Sequence, residues 1–185
     1  MKPILGLGIG KIFKTLLLGL SLCGLALASG AQAAEGSAGG LVSVEVWQEG
    51  VFETVGELQR EAEPRTAAGT VSTYERIRLL RSTLSLEARK GATFGFRYRV
   101  KAEVARPDGP MHGVEMRVLH PPMRTPDGRV QTVSTAAIDW FFEGGVARDD
   151  VMYTLSEDFE VLPGRWTLQL LLDGQVLASR EFTLR

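Results

Sequence analysis

Apolar and polar residues alternate along most of this chain with a period of two, the habit of half-buried strands. The cleanest stretch is Phe94 to Val104. Phe94, Phe96, Tyr98, Val100, Ala102 and Val104 face one way, and Arg97, Arg99, Lys101 and Glu103 face the other. One face in the core and one in water is the signature of an antiparallel sheet. Val42, Val44 and Val46 alternate with Ser43 and Glu45, which predicts a strand over Leu41–Gln48. Gly50 interrupts it, and Val51 to Val55 continue it after a bulge. Gly113 to His120 is the next strand after Phe94–Val104, with Val114, Met116 and Val118 inward, and Pro121-Pro122 is expected to end it.

The remaining segments are punctuated by turn residues. Val130–Ser134 and Ala137–Phe142 read as two strands or one interrupted strand, and Val151–Val161 as a strand pair or a bent strand. Pro107–Pro110 and Thr125–Gly128 are turns, and Gly56–Thr70 and Gly144–Asp150 are expected as surface loops. Val71–Ala88 carries a conflict. Tyr74, Ile77, Leu80 and Leu84 fit a helical stripe, yet Leu84 and Leu86 alternate with polar neighbours. The strand reading, Thr73–Arg81 followed by Leu84–Ala88, agrees better with the rest of the chain.

The chain closes with two strands joined at Asp173-Gly174, entered through a Pro163-Gly164 corner and carrying Trp166 on the buried side. A two-residue loop would pair Leu172 with Gln175 and Trp166 with Glu181, setting the apolar row of the first strand beside Leu177, Ser179 and Glu181. The second strand keeps its apolar residues at Val176, Ala178, Phe182 and Leu184, so one extra residue is needed. The expectation is an odd loop, Leu172-Asp173-Gly174, with Gly174 left-handed in a bulge, so that Leu170 faces Val176, Leu168 faces Ala178 and Trp166 lies opposite Arg180 and near Phe182. Strands of this number and spacing predict an all-β fold, an immunoglobulin-like antiparallel β-sandwich of about 7–9 strands over residues 41–185.

The N-terminus breaks the pattern. Lys2, Lys11 and Lys14 precede an apolar run from Thr15 to Ala28, and Ala31-Gln32-Ala33 fits small-x-small cleavage, with Ala26-Leu27-Ala28 as a second candidate. Residues 1–33 are therefore expected to be a signal peptide and residues 34–40 a flexible spacer. The apolar run is short of the roughly 20 residues a span needs, so no stable membrane span is expected after cleavage; a retained anchor helix is the alternative. Cys23 is the single cysteine, and Leu22 before it departs from the small residue that lipid attachment wants. Beyond Ala33 the chain has neither disulfide nor thiolate site. Cleavage there removes three lysines, so 21 basic residues become 18 against 22 acidic ones, near −4. That balance argues against nucleic acid and anionic lipid as partners.

Candidate chemistry is sparse. His112 and His120 stand eight residues apart on one strand, roughly 26 Å, too far to share an ion. No metal and no cofactor is expected. A Gly-x-Ser-x-Gly elbow is absent from the sequence. Asp149-Asp150 and Glu157-Asp158 pair acids in what read as solvated turns rather than across a cleft, and Asp127-Gly128 and Asp173-Gly174 are turns before they are calcium loops. Arg97, Arg99 and Lys101 read as a solvated sheet face. Trp140-Phe141-Phe142 places rings on both faces of a strand, so at least one must find cover on the outer side. Trp140, Phe141, Phe142 and His120 are the candidate binding residues; cover by the Gly56–Thr70 loop is the competing explanation for the rings.

Five features in order resemble one family. These are Val44-Glu45-Val46 followed by Gly50-Val51-Phe52-Glu53, Gly91-x-x-Phe94-Gly95-Phe96-x-Tyr98, the His120-Pro121-Pro122 strand end, Pro163-Gly164-x-Trp166, and the Asp173-Gly174 hairpin. Together they resemble the domain of unknown function 3859 family over about Val42 to Leu184. The departure is Leu-Ser-Leu-Glu-Ala at Leu84–Ala88, where a proline-containing segment is expected. The resemblance implies an exported β-sandwich, and it brings no activity and no binding residues with it.

The functional expectation is an exported, periplasmic or secreted, non-catalytic binding or interaction module of the bacterial cell envelope. Its candidate partners are an envelope protein or a glycan. Two alternatives stay open: a hydrolase using loop carboxylates, with Asp139, Asp149 or Glu157 gathered round a pocket, and a structural accessory domain of an envelope complex.

Overall fold

The computed structural model describes residues 41–102 and 107–185. The expected signal segment 1–33, the spacer 34–40 and the last two residues of the expected Phe94–Val104 strand lie outside the described residues. The strands are β1 (Leu41–Ala62), β2 (Thr70–Arg81), β3 (Ser85–Leu86), β4 (Thr93–Ala102), β5 (Gly109–Arg124), β6 (Val130–Phe142), β7 (Val146–Thr154), β8 (Gly164–Leu172) and β9 (Gln175–Leu184). One sheet runs β2-β1-β4-β7 and the other β3-β9-β8-β5-β6. Pairing is antiparallel except for the two-residue β3, which lies parallel to β9. This is the expected immunoglobulin-like β-sandwich.

The alternation seen in sequence becomes the inner faces. Phe94, Phe96, Tyr98 and Val100 of β4 are fully buried, as are Trp166, Leu168 and Leu170 of β8. Phe94 meets Trp166 edge-on at 5.7 Å and Phe182 at 5.2 Å, and Trp166 lies 5.2 Å from Tyr153. Tilted and edge-on pairs of this kind add about 0.5–1.5 kcal/mol each beyond burial. Two indole N–H groups enter the core and both find acceptors. Trp140 donates to the Tyr98 hydroxyl at 2.8 Å, and Trp166 donates to the Leu162 carbonyl at 3.1 Å.

The strand reading of Val71–Ala88 holds, as β2 and the short β3. Several other expectations are corrected. Gly56–Thr70 is not a loop through its length, because β1 runs on to Ala62 and β2 starts at Thr70. The resulting hairpin extends past β4, whose first residue Thr93 pairs with Phe52. Most of its distal residues, from Gly56 to Ala62, are exposed, so it shows no apolar alternation and reads as loop. Pro121-Pro122 do not end their strand. They pass through the segment between Leu119 and Met123 where the β5–β6 ladder is interrupted, so neither has a ladder hydrogen bond to lose. Val130–Phe142 is one strand. Asp149 and Asp150 sit in β7 rather than a loop, and the expected strand beyond Thr154 gives way to a 3-10 turn at Asp158–Glu160.

The closing hairpin corrects a finer expectation. Leu172 pairs with Gln175 around a two-residue turn, with φ of 48° at Asp173 and 83° at Gly174. The extra residue does exist, but in the strand: Leu171 pairs with Val176 and Leu170 with Ala178, leaving Leu177 as a bulge. The partners are therefore corrected by two residues: Trp166 faces Phe182 instead of Arg180, Leu168 faces Arg180 instead of Ala178, and Leu170 faces Ala178 instead of Val176.

The tip of the β1–β2 hairpin folds onto the other sheet. Thr135 of β6 donates its N–H to the Arg65 carbonyl at 3.1 Å, and Ala67 donates its N–H to Ser134 Oγ at 3.1 Å. Arg65 also reaches Glu115 of β5 at 3.5 Å. The tip holds its own shape through Glu63 N–H to the Gly69 carbonyl at 2.9 Å and Thr66 N–H to the Glu63 carbonyl at 3.0 Å. β6, an edge strand, is thereby capped by a segment from the opposite sheet.

Candidate functional site

β6 alternates strictly, and this decides the fate of the aromatic triplet. Trp140 and Phe142 take the inward phase and are 0% and 2% exposed, with their rings edge-on at 6.2 Å. Both belong to the core. Phe141 takes the outward phase and is 49% exposed, opposite Pro110. The hairpin tip covers β6 at Ser134 and Thr135 instead of covering Phe141. Near Phe141 on the same ladder, His112 and Asp139 are joined at 2.7 Å, and Asp108 accepts the Gly144 N–H at 2.8 Å. Of the four expected binding residues, the structure leaves Phe141 at the surface.

His120 is buried, and its ring lies 5.3 Å from Trp166. Its Nδ1 stands 2.9 Å from the Pro121 carbonyl, which can only accept, so Nδ1 carries the proton. Nε2 is then the acceptor, and Ser134 Oγ, 3.2 Å away, donates to it. Burial pushes the imidazole below its ordinary value, while the Pro121 carbonyl and the charge of Glu160 pull it part of the way back. A neutral histidine accepting from a serine hydroxyl is the pairing that activates a nucleophile. Here Ser134 is fully buried and its oxygen already accepts the Ala67 N–H of the hairpin tip. The dyad faces the latch of the fold.

Glu160, 1% exposed, completes this interior polar cluster. Its carboxylate accepts from the Tyr153 hydroxyl at 2.7 Å, from Ser156 N–H at 2.7 Å and Oγ at 2.9 Å, and from Glu157 N–H at 2.8 Å. Those bonds fix the 3-10 turn between β7 and β8. Burial pushes the Tyr153 phenol well up, and the Glu160 charge adds to it. Sequence reasoning missed this cluster. The only signal for Glu160 was a lone acid within an otherwise apolar Phe159–Leu162 stretch.

The paired acids do not converge. Asp149 stands opposite Tyr98, on the inward phase of the edge strand β7, and Asp150 stands opposite Arg97 on the outer face. Crowding by surrounding protein pushes their carboxyls up, Asp149 to about 7 and Asp150 to about 6. The charge of Asp150 adds to the first shift, and Arg97 opposes the second. Water still reaches Asp149, which is exposed at the surface, and softens its desolvation. Asp139 is bound to His112, and Glu157 caps the turn after β7, so Asp139, Asp149 and Glu157 share no cleft. Among the described residues no group of three or more His, Cys, Asp or Glu could hold a metal ion.

Arg97 is not a free cation. Its guanidinium lies over Trp47 at 5.9 Å and Phe52 at 5.5 Å, donates to Gln48 Oε1 at 3.2 Å, and also donates to the Ile77 carbonyl. It serves as the lid of a small outer-face cluster in which Phe52 is only 3% exposed. Arg99 is bound to Glu45 at 2.6 Å.

Among the described residues, two open recesses stand out on the surface. One, of about 390 Å³, lies between the hairpin tip and the β5–β6 turn and is lined by Pro64, Ala67, Ala68, Gly69, Thr125, Pro126, Asp127 and Arg129. Its carboxylate, Asp127, accepts from the Thr125 hydroxyl and from Arg129, which in that order keep it down at about 2. The other, of about 330 Å³, is lined by Val51, Leu80, Arg81 and Arg89.

Fold and surface together define an immunoglobulin-like β-sandwich domain. Among solved structures the chain is similar to an immunoglobulin-like protein from Pseudomonas aeruginosa. The identity is 22%, with 81% of this chain and 100% of that chain covered and a TM-score of 0.53. It is also similar to the Pseudomonas fluorescens alkylpurine DNA glycosylase AlkC bound to DNA containing an abasic site analog. There the identity is 16%, with 56% of this chain and 28% of that chain covered and a TM-score of 0.38. No curated protein matches the chain. The family model for Domain of unknown function (DUF3859) matches residues 42–184, and the chain belongs to that family. Among the described residues no helix is long and apolar enough to cross a membrane.

Proposed function

We propose that the chain is a non-catalytic binding or interaction module of the bacterial cell envelope, exported to the periplasm or beyond. The observation that carries this reading is how the reactive groups are used. Ser134, His120 and Glu160 are buried; Ser134 is bonded to His120 and to Ala67, and Glu160 to Tyr153, each in a role that holds the fold. What the surface offers instead is strand edges, shallow recesses and scattered apolar side chains such as Phe141 at 49% and Trp47 at 48% exposure. Of these, the open strand edges are what takes up a partner, by strand addition, while singly scattered apolar side chains are ordinary surface. The export half of the reading rests on the basic, apolar and small-residue segments of the N-terminal 33 residues.

The test has two arms. Full-length protein expressed in a Gram-negative host is expected in the osmotic-shock fraction, shortened at its N-terminus; retention at full length in the cytoplasm overturns the export arm. Purified protein is expected to leave chromogenic esters, phosphomonoesters and glycosides unchanged. Turnover that vanishes in both Ser134→Ala and His120→Ala, with the fold intact by circular dichroism, overturns the non-catalytic arm.

A further inference from the structure

β2 is the outermost strand of its sheet and pairs only with β1 over its twelve residues. Among the described residues its outer row of backbone N–H and C=O groups therefore has no ladder partner, the arrangement that accepts an added strand. The side chains along it say which strand. Arg76, Arg78 and Arg81 are exposed, and only Arg78 is neutralised, by Glu53 at 2.7 Å. Among the described residues Arg76, Arg81 and Arg89 form no ion pair. Arg81 and Arg89 both line the recess of about 330 Å³ at the end of the edge, with Val51 and the half-exposed Leu80. Arg76, Arg81 and Arg89 thus put three cations without an ion pair on or beside the edge, against one exposed carboxylate, Glu75. Two of them flank an apolar floor, an arrangement complementary to an acidic strand bearing apolar side chains.

A second copy of this chain is a poor occupant in the registers that align the arginines of β2. Antiparallel two-fold pairing of β2 centred on Ile77 sets Arg76 against Arg78 of the copy. Centred on Arg76, it sets that arginine against itself. Like charges directly opposite destabilise a strand pair.

We propose that the open edge of β2 receives an extended acidic segment of a partner protein, with a carboxylate taken by Arg81 and Arg89 and an apolar neighbour laid on Leu80 and Val51. Main-chain bonds to β2 supply the affinity, and the arginines set the charge and register of the segment. This deepens the reading of the chain as a binding module and rests on it.

The probe is a fluorescent, end-blocked decapeptide alternating glutamate and valine, titrated into the purified protein. Its counterpart has lysine at each glutamate. The acidic peptide is expected to bind at least tenfold more tightly than the basic one, with affinity falling as salt rises. Arg81→Glu combined with Arg89→Glu should weaken it at least tenfold, and Arg81→Ser with Arg89→Ser by less. Val130→Ser, at an exposed position on the other sheet, should leave it unchanged. Amide exchange in β2 should slow on binding while β6 is unaffected. Equal binding of both peptides, no binding of the acidic one at millimolar concentration, or indifference to the double charge reversal overturns the proposal. So does a protein that is already a dimer through β2 by cross-linking. The localisation and substrate tests are independent of these peptides, so a failed titration with the other results unchanged removes the acidic strand and leaves the binding module.

Discussion

Two edges of this sandwich are handled in opposite ways, and one hairpin is responsible for both. β6 closes the five-stranded sheet and is capped by the tip of the β1–β2 hairpin, through Thr135 N–H to the Arg65 carbonyl and the Ala67 N–H to Ser134. β2 is a limb of that same hairpin and keeps its own outer edge uncovered. At β6 the chain answers the edge with a backbone partner and a buried polar latch. At β2 it answers with arginines. A capped edge becomes part of the core; a charged edge stays available while rejecting copies of itself. The third long edge, β7, uses another device, an acid at Asp149 on the inward phase of the strand.

The comparison is broken most forcefully from the core side. If β6 is part of the interior, Trp140→Ala should be among the most damaging substitutions, about 3–5 kcal/mol for a buried indole. It also removes the donor to the buried Tyr98 hydroxyl. Urea unfolding of the purified variant measures it, and a loss below about 1 kcal/mol would show that β6 is not held as described.

Ser134→Ala tests the latch itself. The variant removes the acceptor for Ala67 N–H and the donor to His120 Nε2 together, and unsatisfied buried groups of this kind cost about 1–3 kcal/mol. Hydrogen exchange separates a latch from a general loss. The Ala67 and Thr135 amides should speed up before those of β4 do, and uniform acceleration would show that the tip is not a separate unit.

How far the sequence reveals these edges follows from what each strand buries. β4 is legible from its alternation, because one side of it is entirely core: Phe94, Phe96, Tyr98 and Val100. The distal hairpin is not, since water reaches most of its residues and a ladder without a buried face leaves no periodic trace. The closing hairpin falls between. The apolar phase of Val176, Ala178, Phe182 and Leu184 demands one additional residue, and that residue exists at Leu177. A three-residue loop and a bulge at Leu177 restore the same in-out phase but shift the pairing in opposite directions. The pattern therefore fixes the phase and leaves the partners open by two residues: Trp166 faces Phe182 instead of Arg180. The candidate site shows the same limit. Alternation through Trp140-Phe141-Phe142 predicts rings on both faces, and Phe141 does lie outside, but His120 and Ser134 meet only because β5 and β6 pair, which no local pattern encodes.

β7 can be tested through pH. Its carboxyls are pushed up to about 7 at Asp149 and about 6 at Asp150, from an ordinary 3.8. A raised carboxyl means that the folded state holds its proton more tightly than the unfolded state. The fold therefore gains from these groups as pH falls from about 7 towards 4, and carries their full cost at pH 8. His120 runs the other way. Its folded value is depressed, so its contribution is lost as pH drops below about 6.5. Asp149→Asn isolates the first effect: the unfolding midpoint should rise at pH 8 and match the parent near pH 3.5. A midpoint raised equally at both values would mean that charge at the β7 edge is not what the substitution relieves.

The smallest change to stability is expected at β2, and it is also the sharpest test of the contrast with β6. Arg76 and Arg78 are exposed, and exposed side chains of this kind shift stability by no more than about 0.5 kcal/mol when replaced. Replacing both with valine should leave the urea midpoint nearly unchanged. What should change is the company the edge keeps. Pairing of two copies about Ile77 would then set valine against valine where arginine met arginine, on a strand that already has an open ladder. Sedimentation velocity at micromolar concentration should show the double variant moving towards dimer and larger species while the parent stays monomeric. The corresponding pair Thr135→Val and Ala137→Val on the outward phase of β6 should not associate, because the hairpin tip already fills that ladder at Arg65. Association by the β6 variant alone would reverse the assignment of which edge is open.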